Sequence, residues 1–138
     1  MAAPTKSSRP PIPKKQSRLF TLGIEEEFQI IDPETRELRS HVEQIMEDGK
    51  MLLRERVKTE MHQSVVEVGT DICPDVASAR VAVTKLRSDL WRLARNRGLT
   101  IAASGTHPFS HWMDQKITKG ERYEGIVEDM QQVARANL

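Results

Sequence analysis

Residues 75 to 98, DVASARVAVTKLRSDLWRLARNRG, limit the possible folds more than any other stretch. Val76, Ala79, Val83, Leu86, Leu90 and Leu93 recur at intervals of three and four, the period of one helix face. Asp75 stands where an N-cap belongs, and Gly98 stands just past the end, where a left-handed stop is expected. A helix of this length needs a surface to cover. Arg80, Arg87, Arg92, Arg95 and Arg97 mostly fall on its other faces and read as a solvated surface.

The covered surface is a sheet. TLGIEEEFQII, residues 21 to 31, reads as a strand despite three adjacent glutamates, residues that strands disfavour. Alternation along the strand puts Leu22, Ile24, Phe28 and Ile30 on one face and Gly23, Glu25, Glu27 and Gln29 on the other. Glu25 and Glu27 are then about 7 Å apart on the same side, close enough for a cation to lie between or near them. Glu26 falls on the apolar side. DPETRE, residues 32 to 37, is a turn that reverses the chain.

EMHQSVVEVGTDIC, residues 60 to 73, alternates Ser64, Val66, Val68 and Thr70 with Gln63, Val65, Glu67 and Gly69, again the period of a strand. Taken alone, Glu67 is a surface glutamate on a half-wet sheet. Residues 40 to 57 suggest two short helical pieces broken near Gly49. LTIAASGT, residues 99 to 106, reads as a buried strand ending in small residues, and residues 119 to 138 as a second amphipathic helix with Tyr123, Ile126, Val127, Met130, Val133 and Ala134 on its stripe. The fold class is α+β, an antiparallel sheet with amphipathic helices packed on one face.

Composition narrows the function. The 138 residues, 38% hydrophobic and 30% charged, suit one soluble domain with one core. Twenty-one Lys and Arg against 20 Asp and Glu leave a net charge of +1, which excludes a global field drawing the chain onto nucleic acid or membrane. Residues 1 to 18, with four prolines, five basic residues and no acid, read as a disordered basic tail, solvated rather than a binding arm, ahead of one domain over 19 to 138. The single Cys73 makes no internal disulfide, and no apolar leader or run of eighteen apolar residues is present. A reducing, cytoplasmic location is the expectation. His107 and His111 have a metal-ligand spacing, but Pro108 between them breaks the helix that would align them.

Four blocks, TLGIEEEFQIIDPET, EMHQSVVEVGTDIC, AASGTHPFSHW and ERYEGIVEDMQQVARANL, in this order and spacing, resemble the N-terminal part of the bacterial carboxylate-amine ligase family, also called the glutamate-cysteine ligase type 2 family. The resemblance spans residues 20 to 138 and is to the first part of a much longer enzyme, whose pattern continues with a histidine-bearing strand. It implies a partial glutamine synthetase-like ligase fold, ATP and magnesium as cofactors, and an acyl phosphate formed on a carboxylate before an amine attacks. The family's G-x-E-x-E element falls on Gly23, Glu25 and Glu27, its second strand on Glu67 and Thr70, and its G-T-H-P and R-Y elements on Gly105, Thr106, His107, Arg122 and Tyr123. Glu25, Glu27 and Glu67 are thereby implied as metal ligands and, with Arg122, as catalytic residues. Thr70, Thr106, His107 and Tyr123 are implied as substrate-binding, with Arg122 and Thr106 or His107 on the anionic substrate.

The partners implied are a small-molecule carboxylate and amine, with no nucleic acid and no membrane. An open sheet edge implies a homodimer or pairing with a C-terminal part. The preferred reading is a segment of a ligase that is inactive on its own. The competing readings are a short relative that dimerises and a non-catalytic binding or structural protein on the same half-fold.

Overall fold

The computed structural model describes residues 20–129. The basic tail expected at 1 to 18 and the stripe positions Met130, Val133 and Ala134 lie outside the described residues. Within them the order is β1 (Glu25–Ile31), α1 (Val42–Gly49), β2 (Val57–Thr59), β3 (Val65–Gly69), α2 (Val76–Asn96), β4 (Thr100–Ala102) and α3 (Glu121–Asp129). The strands form one antiparallel sheet in the order β2-β3-β1-β4. The α+β class holds.

β1 is central, with Phe28 opposite Val66 and Ile30 opposite Ile101. Phe28, Ile30, Val66 and Val68 project from one face into a single core with Val42 and Ile45 of α1 and Leu86, Leu90, Leu93 and Ala94 of α2. Helices thus cover one face and leave the other for chemistry. At the start of α2 the Asp75 carboxylate accepts from the Ser78 N–H at 2.8 Å, as an N-cap should. At its end Gly98 takes φ +70, and the Gly98 and Leu99 N–H groups donate to the Arg95 and Ala94 carbonyls. This double bond closes the helix and turns the chain into β4. Gly49 ends α1 where a Cβ would lie 3.3 Å from Leu93 Cδ1, so its bareness lets the two helices approach.

Several expectations need correction. Val76 is 74% exposed and lies off the buried stripe of α2, which begins at Ala79. The arginines stand on the exposed surface as expected, and four of them also find partners there: Arg87 binds Glu26, Arg92 binds Asp89, Arg95 lies over the Trp91 ring and Arg97, just past the helix, binds Asp48. The strand read over 99 to 106 is only Thr100–Ala102 and is half-buried, since past Ala102 the chain leaves the sheet edge as a loop. In its described part α3 buries no residue and is tied to the sheet through the Tyr123 hydroxyl, which donates to the Thr59 carbonyl at 3.0 Å. The turn at 32 to 37 closes as expected: the Asp32 carboxylate accepts from the Glu34 and Thr35 N–H groups, and Ile31 bridges Leu38.

Candidate functional site

The helix-free face of the sheet carries the acidic residues. Glu25 and Glu27 project there from β1, and register sets Glu27 directly opposite Glu67 of β3, which in turn faces Lys58 of β2. Like charges opposed across a ladder are destabilising. A lysine answers the repulsion. Lys58 Nζ bridges Glu25 at 3.1 Å and Glu67 at 2.8 Å, and these carboxylates hold its ammonium above the usual lysine range. Glu60, just past β2, completes a second grouping, in which one oxygen each of Glu27, Glu60 and Glu67 lie within 4.8 Å of one another. The Glu27 carboxyl titrates above its ordinary value, through burial first and then the charges of Glu60, Glu67 and Glu25.

Glu26 has a different task. It points to the helix side, where Arg87 of α2 donates to it in a bidentate pair, Nε to Oε2 at 2.8 Å. Strand alternation thus sets Glu26 apart from Glu25 and Glu27, on the face of Phe28 and Ile30.

The remaining expected residues scatter. Thr70 Oγ1 accepts from the Ile24 N–H at 3.1 Å while its own N–H donates to the Ile24 carbonyl, so it fastens the entrance to β1. His107 Nδ1 accepts from the Ser110 N–H at 2.9 Å, which leaves Nε2 to donate to the Arg36 carbonyl, also at 2.9 Å. Both ring nitrogens thus hold the loop together. His111 Nδ1 accepts from the Met113 N–H at 3.3 Å. Thr106 is exposed on the same loop. Arg122 is exposed on α3 with its guanidinium 5.7 Å from the Tyr123 ring centroid, and Tyr123 is anchored beside Glu60 through Thr59.

Beyond Glu27 the sheet runs under this loop and forms with it a cleft of about 420 Å³, lined among others by Gln29, His62, Val65, Phe109 and Trp112. Burial pulls the His62 imidazole below its ordinary value, with Glu60 opposing.

Residues 21–138 match the sequence profile of glutamate-cysteine ligase family 2 (GCS2). The chain belongs to this family. A protein of Sorangium cellulosum (strain So ce56) is 62% identical over 121 residues, 86% of this chain and 32% of its own length. One from Roseiflexus sp. (strain RS-1) is 60% identical over 115 residues, 83% of this chain and 30% of its own. One from Herpetosiphon aurantiacus is 57% identical over 119 residues, 86% of this chain and 31% of its own. Each is named "Putative glutamate–cysteine ligase 2". The chain spans about a third of the length of these relatives, and matches the N-terminal part of the ligase-family enzyme, as the four blocks implied.

Of the carboxylates expected from the ligase-family pattern, Glu27 and Glu67 stand in the three-oxygen grouping, while Glu25 is turned to Lys58. Glu60, Lys58 and Gln29 were missed. Lys58 sits on a strand of three residues and Glu60 in the bend behind it, so neither shows a period. Gln29 had one available signal, a polar residue in phase with Glu25 and Glu27 among Phe28, Ile30 and Ile31.

Proposed function

We propose that this chain forms the N-terminal part of an ATP-dependent carboxylate-amine ligase of the glutamate-cysteine type, on a glutamine synthetase-like fold. The carrying observation is the grouping of Glu27, Glu60 and Glu67 on the helix-free face of a chain from a ligase family. All three donors are carboxylate oxygens, which suit a hard cation such as magnesium. Glu60, Glu67 and Glu25 add to burial in raising the Glu27 carboxyl, and a cation among these oxygens would relieve that repulsion, so the residues fit the ion that the ligase reading requires.

A magnesium ion held there would supply positive charge to offset the negative oxygens of ATP and of the substrate carboxylate. The protein's own part is positional. Glu27, Glu60 and Glu67 would hold the ion, Glu25 pairs with Lys58, and Arg122, on the helix tied beside Glu60, would meet the anionic substrate. Thr106 and His107 shape the loop at the other end of the face. Among the described residues no helix is long and apolar enough to cross a membrane. With a single cysteine this supports a cytoplasmic enzyme on small molecules.

Manganese, a paramagnetic stand-in for magnesium, tests the reading directly. Titrated into the labelled 138-residue chain, it should broaden the amides around Glu27, Glu60 and Glu67 first. Glu27→Gln and Glu67→Gln should each weaken binding about tenfold or more, a loss of about 1.4 kcal/mol, and Glu26→Gln should leave it unchanged. Broadening centred elsewhere, or equal loss in the Glu26 variant, would remove the metal assignment.

A further inference from the structure

We infer that His107 is a proton-operated latch on the 105–112 loop: neutral, it closes the turn that follows it, and protonated, it lets that turn go.

Pro108 carries no N–H, so the first two backbone donors after His107 are those of Phe109 and Ser110. Both point at Nδ1, at 3.4 and 2.9 Å. On the other side of the ring Nε2 meets the Arg36 carbonyl, 71 residues away in sequence, at 2.9 Å. A backbone N–H only donates and a carbonyl only accepts, so the ring carries its proton on Nε2 and a free lone pair on Nδ1. That is one tautomer of the neutral imidazole. A second proton can go only to Nδ1. There it would set N–H against N–H where a hydrogen bond stands now, while the bond from Nε2 to Arg36 gains from the charge. The ring therefore stays on the 32–37 turn, and the turn at 108 to 110 is released.

Arg36, His62 and His111 are the charged or titratable groups that share a cavity wall with His107, and no carboxylate lines either cavity among the described residues. Glu37, Arg39 and Asp114 lie one hollow further on, beside His111. What the latch holds is a partition. His107, Pro108 and Phe109 line both the cleft of about 420 Å³ and a second hollow of about 640 Å³ against β4, bounded by Ile31, Pro33 and Ala102. Ser110 ties the same segment to the chain after the 32–37 turn, its Oγ accepting from the Leu38 N–H at 3.1 Å. Protonation of one ring thus loosens the wall between two cavities and leaves the sheet beneath it intact.

Spectra of the nitrogen-labelled 138-residue chain, including its ring nitrogens, test this between about pH 8 and about pH 5, the span in which histidine changes charge. At the upper end His107 should show the Nε2–H tautomer. As the ring titrates, the Ser110 amide should shift with the same midpoint and exchange with solvent about tenfold or more faster than its intrinsic pH dependence predicts, while the Ile30 amide of β1 stays protected. His107→Asn, whose side-chain oxygen can accept from the same two N–H groups but takes up no proton, should keep Ser110 closed throughout. His107→Ala should leave it open throughout. The inference is overturned by an Nδ1–H tautomer at high pH, by a Ser110 amide that ignores the titration of the ring, or by an Asn variant that responds to pH as the wild type does. Loss of Ile30 protection at the same midpoint would also overturn it, since that is acid unfolding of the whole fold.

Discussion

Glu27 faces Glu67 across the central ladder, and burial adds to the cost of its charge. Its carboxyl is raised above 4.5, so the folded state binds that proton more tightly than the unfolded chain does. Stability therefore falls as pH rises from the ordinary glutamate value through the raised one. Glu27→Gln should accordingly raise Tm at pH 7, with the gain fading near pH 4, where the wild-type side chain is also neutral; thermal scans across that range check it. Glu26→Gln should do the reverse at pH 7, lowering stability by under about 1 kcal/mol, since Arg87 then loses a half-exposed ion pair. At this scale the sequence was legible wherever strand alternation applied: it separated Glu26 from Glu25 and Glu27, whereas Glu67 was joined to them only through the family resemblance, because alternation within one strand does not set the register between two. It was silent on Lys58 and Glu60, whose places depend on how β2 bends into β3, and on His107, whose two nitrogens close a loop instead of facing out.

Among the elements, α2 was readable almost end to end because its cap, stripe and stop all agree. Leu90, fully buried on that stripe, should cost about 2–5 kcal/mol when changed to alanine, depending on how far the site collapses. Asp75→Ala should cost about 1 kcal/mol through the lost cap. Val76→Ala should stay within about 0.5 kcal/mol, because that side chain is exposed. Urea unfolding of the three variants ranks them, and a Val76 effect as large as that of Leu90 would contradict the packing described. β2 escaped notice for the opposite reason. Val57–Thr59 is too short to show alternation, and it is a strand only because Val57 and Thr59 meet Val68 and Val66. The same limit shortened β4, where small residues suggested more sheet than the edge supports.

For the whole molecule, the share of 30–32% of the relatives' length leads us to expect that the 138-residue chain alone releases no phosphate from ATP with glutamate and cysteine. Steady turnover by a pure preparation would instead favour self-assembly into a complete site. We also expect association at micromolar concentration, read by sedimentation, because Ile72, Val76, Val81 and Phe109 are exposed. A monomer that unfolds cooperatively would favour the binding-module reading. The central position of β1 also has a consequence in time. Ile30 pairs with Ile101, 71 residues further along the chain (101 − 30 = 71), so during synthesis β1 leaves the ribosome long before β4. At about 5 to 20 residues per second that interval is roughly 4 to 14 s. Throughout it, one side of Gln29-Ile30-Ile31 has no strand to pair with, and a chaperone that shields extended apolar segments would find its best-timed target there.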